Sequence, residues 1–261
     1  MNTGGDHKHG YVISDLHLFS RRSFAEKQLG MIRDKVSQSQ LFVFNGDIFD
    51  FRWTTLGTVE ETVEQAAAWL DDLVSSFPHT QFHFVLGNHD SGRLFLSKLE
   101  LLADKHEHLI WHPFYARLGD SLFLHGDASH GRNMTHDRLL KYRARFDEEQ
   151  GRGKLMSHVY QSACTLGLHK STYLLNPKRV VCKRIIEYFF NVDPDILKDV
   201  AHIYFGHTHT PFSDYKFNNI SFHNTGSMIR GLTFDAKKIL VNPAPHDWQR
   251  TAAGLYVPES D

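Results

Sequence analysis

The sequence predicts an α/β protein, and three observations carry that reading. Apolar runs of strand length recur at 11–14, 41–44, 81–86, 121–124 and 202–205. Amphipathic stretches of helical length stand between them. The clearest is 58–77, where Val59, Val63, Ala66, Ala67, Leu70, Leu73, Val74 and Phe77 mark one apolar face. Each run closes on a cluster bearing Asp, Asn or His, at the C-terminal strand edge where α/β sheets place their ligands.

Composition sets bounds on function. With 261 residues, 41% hydrophobic and 23% charged, the chain is of ordinary globular make-up, one large domain or two small ones. A formal net charge of −1 excludes a bulk nucleic-acid binder. Two cysteines, Cys164 and Cys182, are too few for a disulfide framework and suit a reducing cytoplasm. The polar 1–10 segment carries no secretory signal, and no apolar run reaches the roughly 18 residues of a membrane span. The anomaly is 19 histidines, which matter by where they fall; His7 and His9 read as inert in an N-terminal tail.

In chain order, 11–14 reads as a strand closed by Asp15-Leu16-His17. Alternation would put Asp15 and His17 on one side, where a carboxylate and an imidazole can reach one metal ion. A helix is expected over 22–37, with Phe24, Leu29, Ile32 and Val36 at near-helical spacing. The 41–44 strand ends on Gly46, where the backbone can turn sharply, and then on Asp47, with Asp50 three residues on. A lone Asp at a strand end is more often a helix cap or turn former. Five strand ends of this kind in one chain point instead to a shared site. The 58–77 helix, with Glu60, Glu61 and Glu64 in its first turns and Pro78 after it, reads as packing.

The 81–86 strand ends in Gly87-Asn88-His89-Asp90, and His83 within it reads as structural. Asn88 offers a neutral oxygen donor, and His89 a proton donor that a nearby carboxylate can orient. A helix over 94–105, a strand over 110–118 and the 121–124 strand follow, the last ending in His125-Gly126-Asp127. From 128 to 199 the pattern gives way to helical stretches at 135–149, 154–168 and 178–190. Between Arg132 and Arg184 there are 12 Lys and Arg against 4 Asp and Glu, so this insertion is locally basic. It reads either as a helical subdomain or as a lid whose basic face meets phosphate and whose apolar face meets a greasy tail. The 202–205 strand ends in Gly206-His207-Thr208-His209-Thr210-Pro211, and closing strands are expected at 220–222 and 231–234. The polar, Pro-containing stretch after 242 reads as a surface tail.

Together these ends supply Asp15 and His17, Asp47 and Asp50, Asn88 and His89, His125, and His207 and His209. In these blocks the chain resembles the calcineurin-like metallophosphoesterases. That family's pattern runs Asp-x-His, Gly-Asp-x-x-Asp, Gly-Asn-His-Asp/Glu, a His near a Gly, and Gly-His-x-His; all five blocks stand intact between residues 15 and 209. The resemblance implies two mixed β-sheets packed face to face with helices outside. It places the core at 11–127 and 200–242, a helical lid at 128–199 and tails at 1–10 and 243–261. It also implies that Asp15, His17, Asp47 and His209 hold one metal and that Asp47, Asn88, His125 and His207 hold the second. A hydroxide bridging two cations about 3.5–4 Å apart would then attack phosphorus in line. His89, oriented by Asp50, would protonate the leaving oxygen. Oxygen and nitrogen donors favour Mn, with Fe or Zn next, over Ca or Mg.

A narrower resemblance lies in the size and place of the insertion and in the 46–50, 125–127 and 206–211 phrases, which look like those of the bacterial UDP-2,3-diacylglucosamine pyrophosphohydrolases. Thr135-His136-Asp137, Tyr142 and Arg145 resemble that family's lid entrance. It implies cleavage of a lipid-linked pyrophosphate to UMP and an acylated sugar phosphate, with peripheral contact to the inner membrane through the lid. Asn88, Arg132, Lys178 and Arg179 would then be candidate substrate contacts. One departure stands out: that family commonly has Arg where this chain has His89. The competing expectations are a soluble substrate, such as a phosphoprotein, cyclic nucleotide or nucleic acid, and a metal-holding scaffold without turnover. The presence of His89 and Asp50, which a scaffold does not need, weighs against the latter.

Overall fold

The computed structural model describes residues 7–148, 177–242, 248–250 and 256–258. The chain opens with β1 (Lys8–Ile13), a 3-10 turn (Ala25–Gln28) and α1 (Leu29–Ser37). Then come β2 (Leu41–Asn45), α2 (Val59–Ser76), β3 (Gln81–Val85), α3 (Arg93–Lys105) and β4 (Leu109–His112). The start of α2 is fixed by a capping box: the Thr58 hydroxyl accepts from the Glu61 N–H, and the Glu61 carboxylate accepts from the Thr58 N–H. β5 (Tyr115–Leu118) and β6 (Ser121–Leu124) form a hairpin, followed by α4 (His136–Glu148) and α5 (Lys178–Val192). β7 (His202–Phe205), β8 (Phe212–Phe217), β9 (Ile220–Asn224) and β10 (Lys237–Val241) complete the two large sheets. β8 and β9 turn through Asn218 and Asn219, whose φ angles of 48° and 64° suit a tight hairpin. A short antiparallel pair, β11 (Trp248–Arg250) and β12 (Tyr256–Pro258), follows.

The first sheet has the order β10-β1-β2-β3-β4, with β1 to β4 parallel and β10 antiparallel. The second has the order β5-β6-β7-β9-β8, with β6, β7 and β9 parallel and the two edge strands antiparallel. Alternation along β2 divides its side chains between two cores. Phe42 and Phe44 pack with Val63, Leu70, Phe95 and Leu99 under the helices. Leu41 and Val43 pack with Phe123 and Tyr204 of the other sheet. Two mixed sheets therefore lie face to face with helices outside.

Several local expectations are corrected. The stretch read as one strand at 110–118 is two, in different sheets, because Pro113 lacks an N–H and breaks the ladder. Residues 231–234 form no strand, only one bridge between Gly226 and Phe234; the closing strand is β10, hidden in the sequence by its two leading lysines. β8 was also obscured, being a polar edge strand. His9 lies not in a tail but in β1, opposite Leu240. The helix expected over 22–37 begins as the 3-10 turn and becomes α-helical only at Leu29. The helix expected at 154–168 lies outside the described residues.

One buried ion pair fixes α4 to the strand ends. Arg143 of α4 meets Asp127, past the end of β6, through two contacts of 2.7 and 3.1 Å. It also donates to the Leu86 carbonyl (2.9 Å) and the Pro113 carbonyl (2.6 Å), so one guanidinium ties α4 to the ends of β3, β4 and β6. Both side chains are buried, so removing one partner leaves an uncompensated charge. Arg143→Met should therefore cost about 3–5 kcal/mol in urea unfolding. Arg143→Met with Asp127→Leu should recover most of that loss; a double variant no more stable than Arg143→Met would show that the charge pair is not the source.

Candidate metal centre

Each candidate ligand hangs from a turn after a parallel strand: β1, β2 and β3 of one sheet, β6 and β7 of the other. Strand alternation is not what aims Asp15 and His17, as the sequence suggested. Both have left-handed backbones, φ 52° and 49°, and so do Asp47 (53°), His207 (61°) and His209 (56°). Such residues cost about 1–3 kcal/mol each and persist where neighbours over-determine them. Here the turns are laced together. The Asp15 N–H donates to the Gly46 carbonyl at 3.0 Å, the His17 N–H to the Asp47 carbonyl at 3.0 Å, and the Gly206 N–H to the His125 carbonyl at 2.8 Å. Two glycines are required by contact: a Cβ on Gly87 would collide with Asp47, and one on Gly206 with the Asp15 carboxylate.

The turns bring the sequence-predicted residues into one cluster. Three overlapping groups have donor atoms within 4.8 Å of one another: Asp15, His17 and His209; His17, Asp47 and His89; Asp15, Asp47 and His125. His209 Nε2 stands 3.1 Å from Asp15 Oδ1, and His125 Nε2 stands 3.3 Å from Asp47 Oδ2 and 3.2 Å from Asn88 Oδ1. The His207 ring lies edge-on to His125, centroids 5.1 Å apart, while the His207 backbone N–H donates to both Asp15 oxygens. His89 Nδ1 donates to Asp50 Oδ1 at 3.1 Å, its backbone N–H donates to Asp47 Oδ1 at 2.8 Å, and its ring packs on His17 and Phe146. His89 also falls in a donor group with His17 and Asp47.

Several residues around the cluster had not been singled out. Arg22 donates to Asp50 Oδ2 at 2.8 Å through Nη2 and at 3.2 Å through Nε, and the Trp53 N–H donates to Asp50 Oδ1 at 3.2 Å. Asp90 is fully buried and accepts from the Gly87 and Ile48 N–H groups, clipping two ligand turns together. Asp90 and Asp127 stand within recognisable blocks and were legible there. Arg22, Arg143 and Phe146 stand outside any block, and only the fold brings them near. Of the proposed substrate contacts, Asn88 lies in the cluster and Arg132 lines two cavities, one beside α4 and one beside α5. Lys178 sits over the Phe212 ring at 4.6 Å and Arg179 is exposed; neither lines those cavities.

The electrostatics call for positive charge. Burial opposes ionisation of Asp15, Asp47 and Asp50, yet all three stay below the usual carboxylate range. His209 holds down Asp15, His125 and His89 hold down Asp47, and His89 and Arg22 hold down Asp50. Burial followed by the neighbouring Asp47 pushes Asp90 up to about 7. Burial also opposes a charge on His125, but Asp47 and Asp15 outweigh it and raise it to about 10. His89 is raised in the same sense, against burial, by Asp50 and Asp47. Burial keeps His17 and His207 neutral, each lowered to about 4. Neutral imidazole is the metal-ligating form. His17 is wholly buried, with Nδ1 3.5 Å from Asp50 and no well-formed hydrogen bond at either ring nitrogen. A buried imidazole left so is costly unless a ligand completes it. The mixed oxygen and nitrogen donors, surplus carboxylate and unsatisfied imidazole fit divalent transition ions.

The solved structures that the chain is similar to are of low identity. Phosphopantetheinyl hydrolase from Mycobacterium tuberculosis is 13% identical over 90% of this chain and 96% of that chain, with a TM-score of 0.47. A dimetal phosphatase from Danio rerio is 15% identical over 91% and 93%, with a TM-score of 0.41. At these values neither says what this chain acts on. No curated protein matches it significantly. The family model of the calcineurin-like phosphoesterases matches residues 11–211, most of the chain and all five ligand-bearing turns. The chain belongs to the calcineurin-like phosphoesterase family and is a binuclear metal-dependent phosphoesterase.

Proposed function

We propose that the chain hydrolyses a phosphoester or pyrophosphate with two divalent ions, manganese foremost. Asp15, His17, Asp47 and His209 would hold one; Asp47, Asn88, His125 and His207 would hold the other. The observation that carries this reading is the overlap of the donor groups, in which Asp47 lies within reach of both His17 and His125. When bound, the ions would supply Lewis acidity toward the phosphoryl oxygens and activate the attacking water. The chain supplies the rest. Asp50, held by Arg22, engages His89 at Nδ1 and so leaves Nε2 to give its proton to the leaving oxygen. Phe146 packs on that ring and limits its freedom.

We assign 11–127 and 200–242 to the catalytic core and 128–199 to a cap over it. A finer reading is cleavage of UDP-2,3-diacylglucosamine at a membrane surface. Its support is the apolar surface left on the cap helices by Leu140 (51% exposed), Val180 (39%) and Phe190 (62%). No helix among the described residues is long and apolar enough to cross a membrane. His89, where an arginine would be expected, favours the second reading, a soluble ester.

Hydrolysis assays with added Mn, using bis-p-nitrophenyl phosphate, p-nitrophenyl phosphate and UDP-2,3-diacylglucosamine, separate these readings. Turnover that needs metal is expected, and UMP release from the lipid alone would select the finer one. Absence of metal-dependent turnover on all three would sink the proposal. Asp47→Ala should lose activity and both metals together, read by elemental analysis. His89→Ala should keep both metals yet slow turnover by about 10²–10⁴-fold. Arg22→Ala should lower kcat with little change in metal content, and Arg22→Lys should restore part of it. Equal loss of metal and rate in that variant would make Arg22 a structural residue only.

A further inference from the structure

Beside the metal centre, between the 130–134 loop and α4, lies a cavity of about 260 Å³ walled by His130, Arg132, Arg138, Lys141, Tyr142 and Arg145. Arg138, Lys141, Tyr142 and Arg145 stand at i, i+3, i+4 and i+7, one face of the helix. The lining has no carboxylate. Among the described residues no carboxylate comes within ion-pair distance of its four fixed cations. Elsewhere surface cations do find partners, as in Arg33–Asp72, Lys98–Glu64, Lys105–Asp71 and Lys198–Asp195. Four like charges around one concavity repel, and an anion in it relieves them.

The cavity is joined to the centre through Tyr142. Its ring stacks on His130 with centroids 4.4 Å apart and faces the edge of His207 at 6.5 Å. The wall is held in place as well: Arg143, the next residue, is the buried clamp to the core, and Arg138 Nη1 donates to the Asn133 carbonyl at 2.9 Å.

We infer that this cavity binds a second phosphate group of the substrate, about one aromatic ring from the phosphate that is cut. The enzyme thus selects small molecules that carry two separate phosphates or an extended polyphosphate. A concavity of this size admits a phosphate and part of a sugar, not the face of a folded protein. That a phosphate is cut next door rests on the function proposed above; that one is held here does not.

Two measurements test it. First, the full chain freed of metal by a chelator is titrated with inorganic pyrophosphate by calorimetry, so that no cation at the centre can hold the probe. Wild type should bind, and Arg138→Ala/Lys141→Ala should bind at least about tenfold more weakly, while Lys141→Arg keeps the affinity. No binding, equal binding by the double variant, or binding of poly-aspartate in place of pyrophosphate would overturn the inference. Second, kcat/KM in the Mn-loaded enzyme is compared for NAD and NADP, two pyrophosphates that differ by one remote phosphate. The preference for NADP should fall at least about tenfold in the double variant. Parallel loss on both substrates would overturn the selection. Turnover of neither by wild type would overturn the selection, whereas loss of pyrophosphate binding in the variant would still support the cavity.

Discussion

Four carboxylates, Asp15, Asp47, Asp50 and Asp90, are buried at the junction of two sheets, and among the described residues the fixed cation paired with them is Arg22, on Asp50. Burying charge without a partner costs several kcal/mol per ion. The histidines meet part of this demand: the aspartates around them raise His125 to about 10 and raise His89 in the same sense. Divalent ions would fill the same electrostatic role.

Much of the local backbone answers to that constraint. Five candidate ligands sit at positive φ, a conformation that side chains rarely adopt, and backbone hydrogen bonds between turns of different strands hold them there. Glycine appears where an aspartate presses against the chain, at Gly87 and Gly206. Asn45 Nδ2 donates to the Tyr204 carbonyl at 3.0 Å, tying the two sheets together just below the centre. The face-to-face arrangement is thus the means of bringing two sets of strand ends to one point. α4 is fixed to the same junction through Arg143, so Tyr142 and Phe146 belong to the wall of the centre.

The nine ligand-type residues were legible in the sequence because each lies in a short block at the end of an apolar strand. The geometry that aims them was not. Asp15 and His17 share a side through left-handed turns, since the strand has already ended at Ile13. Residues that act from outside a block, such as Arg22 and Arg143, look like ordinary surface arginines until the chain is folded. β8 and β10 escaped notice for a similar reason, because edge strands with polar or lysine-rich faces lack the apolar run that marks a central strand. The basic character of 132–184 was visible as a count, yet which cations share a cavity depends on helical phase and on the pairing of the others.

Anomalous X-ray scattering from crystals of the full chain loaded with manganese tests the central constraint most directly. Two peaks should flank the Asp47 carboxylate, separated by about 3.5–4 Å, with His17 and His209 on one side and His125 and His207 on the other. A single peak, or manganese bound away from Asp47, would contradict a centre built around one shared aspartate.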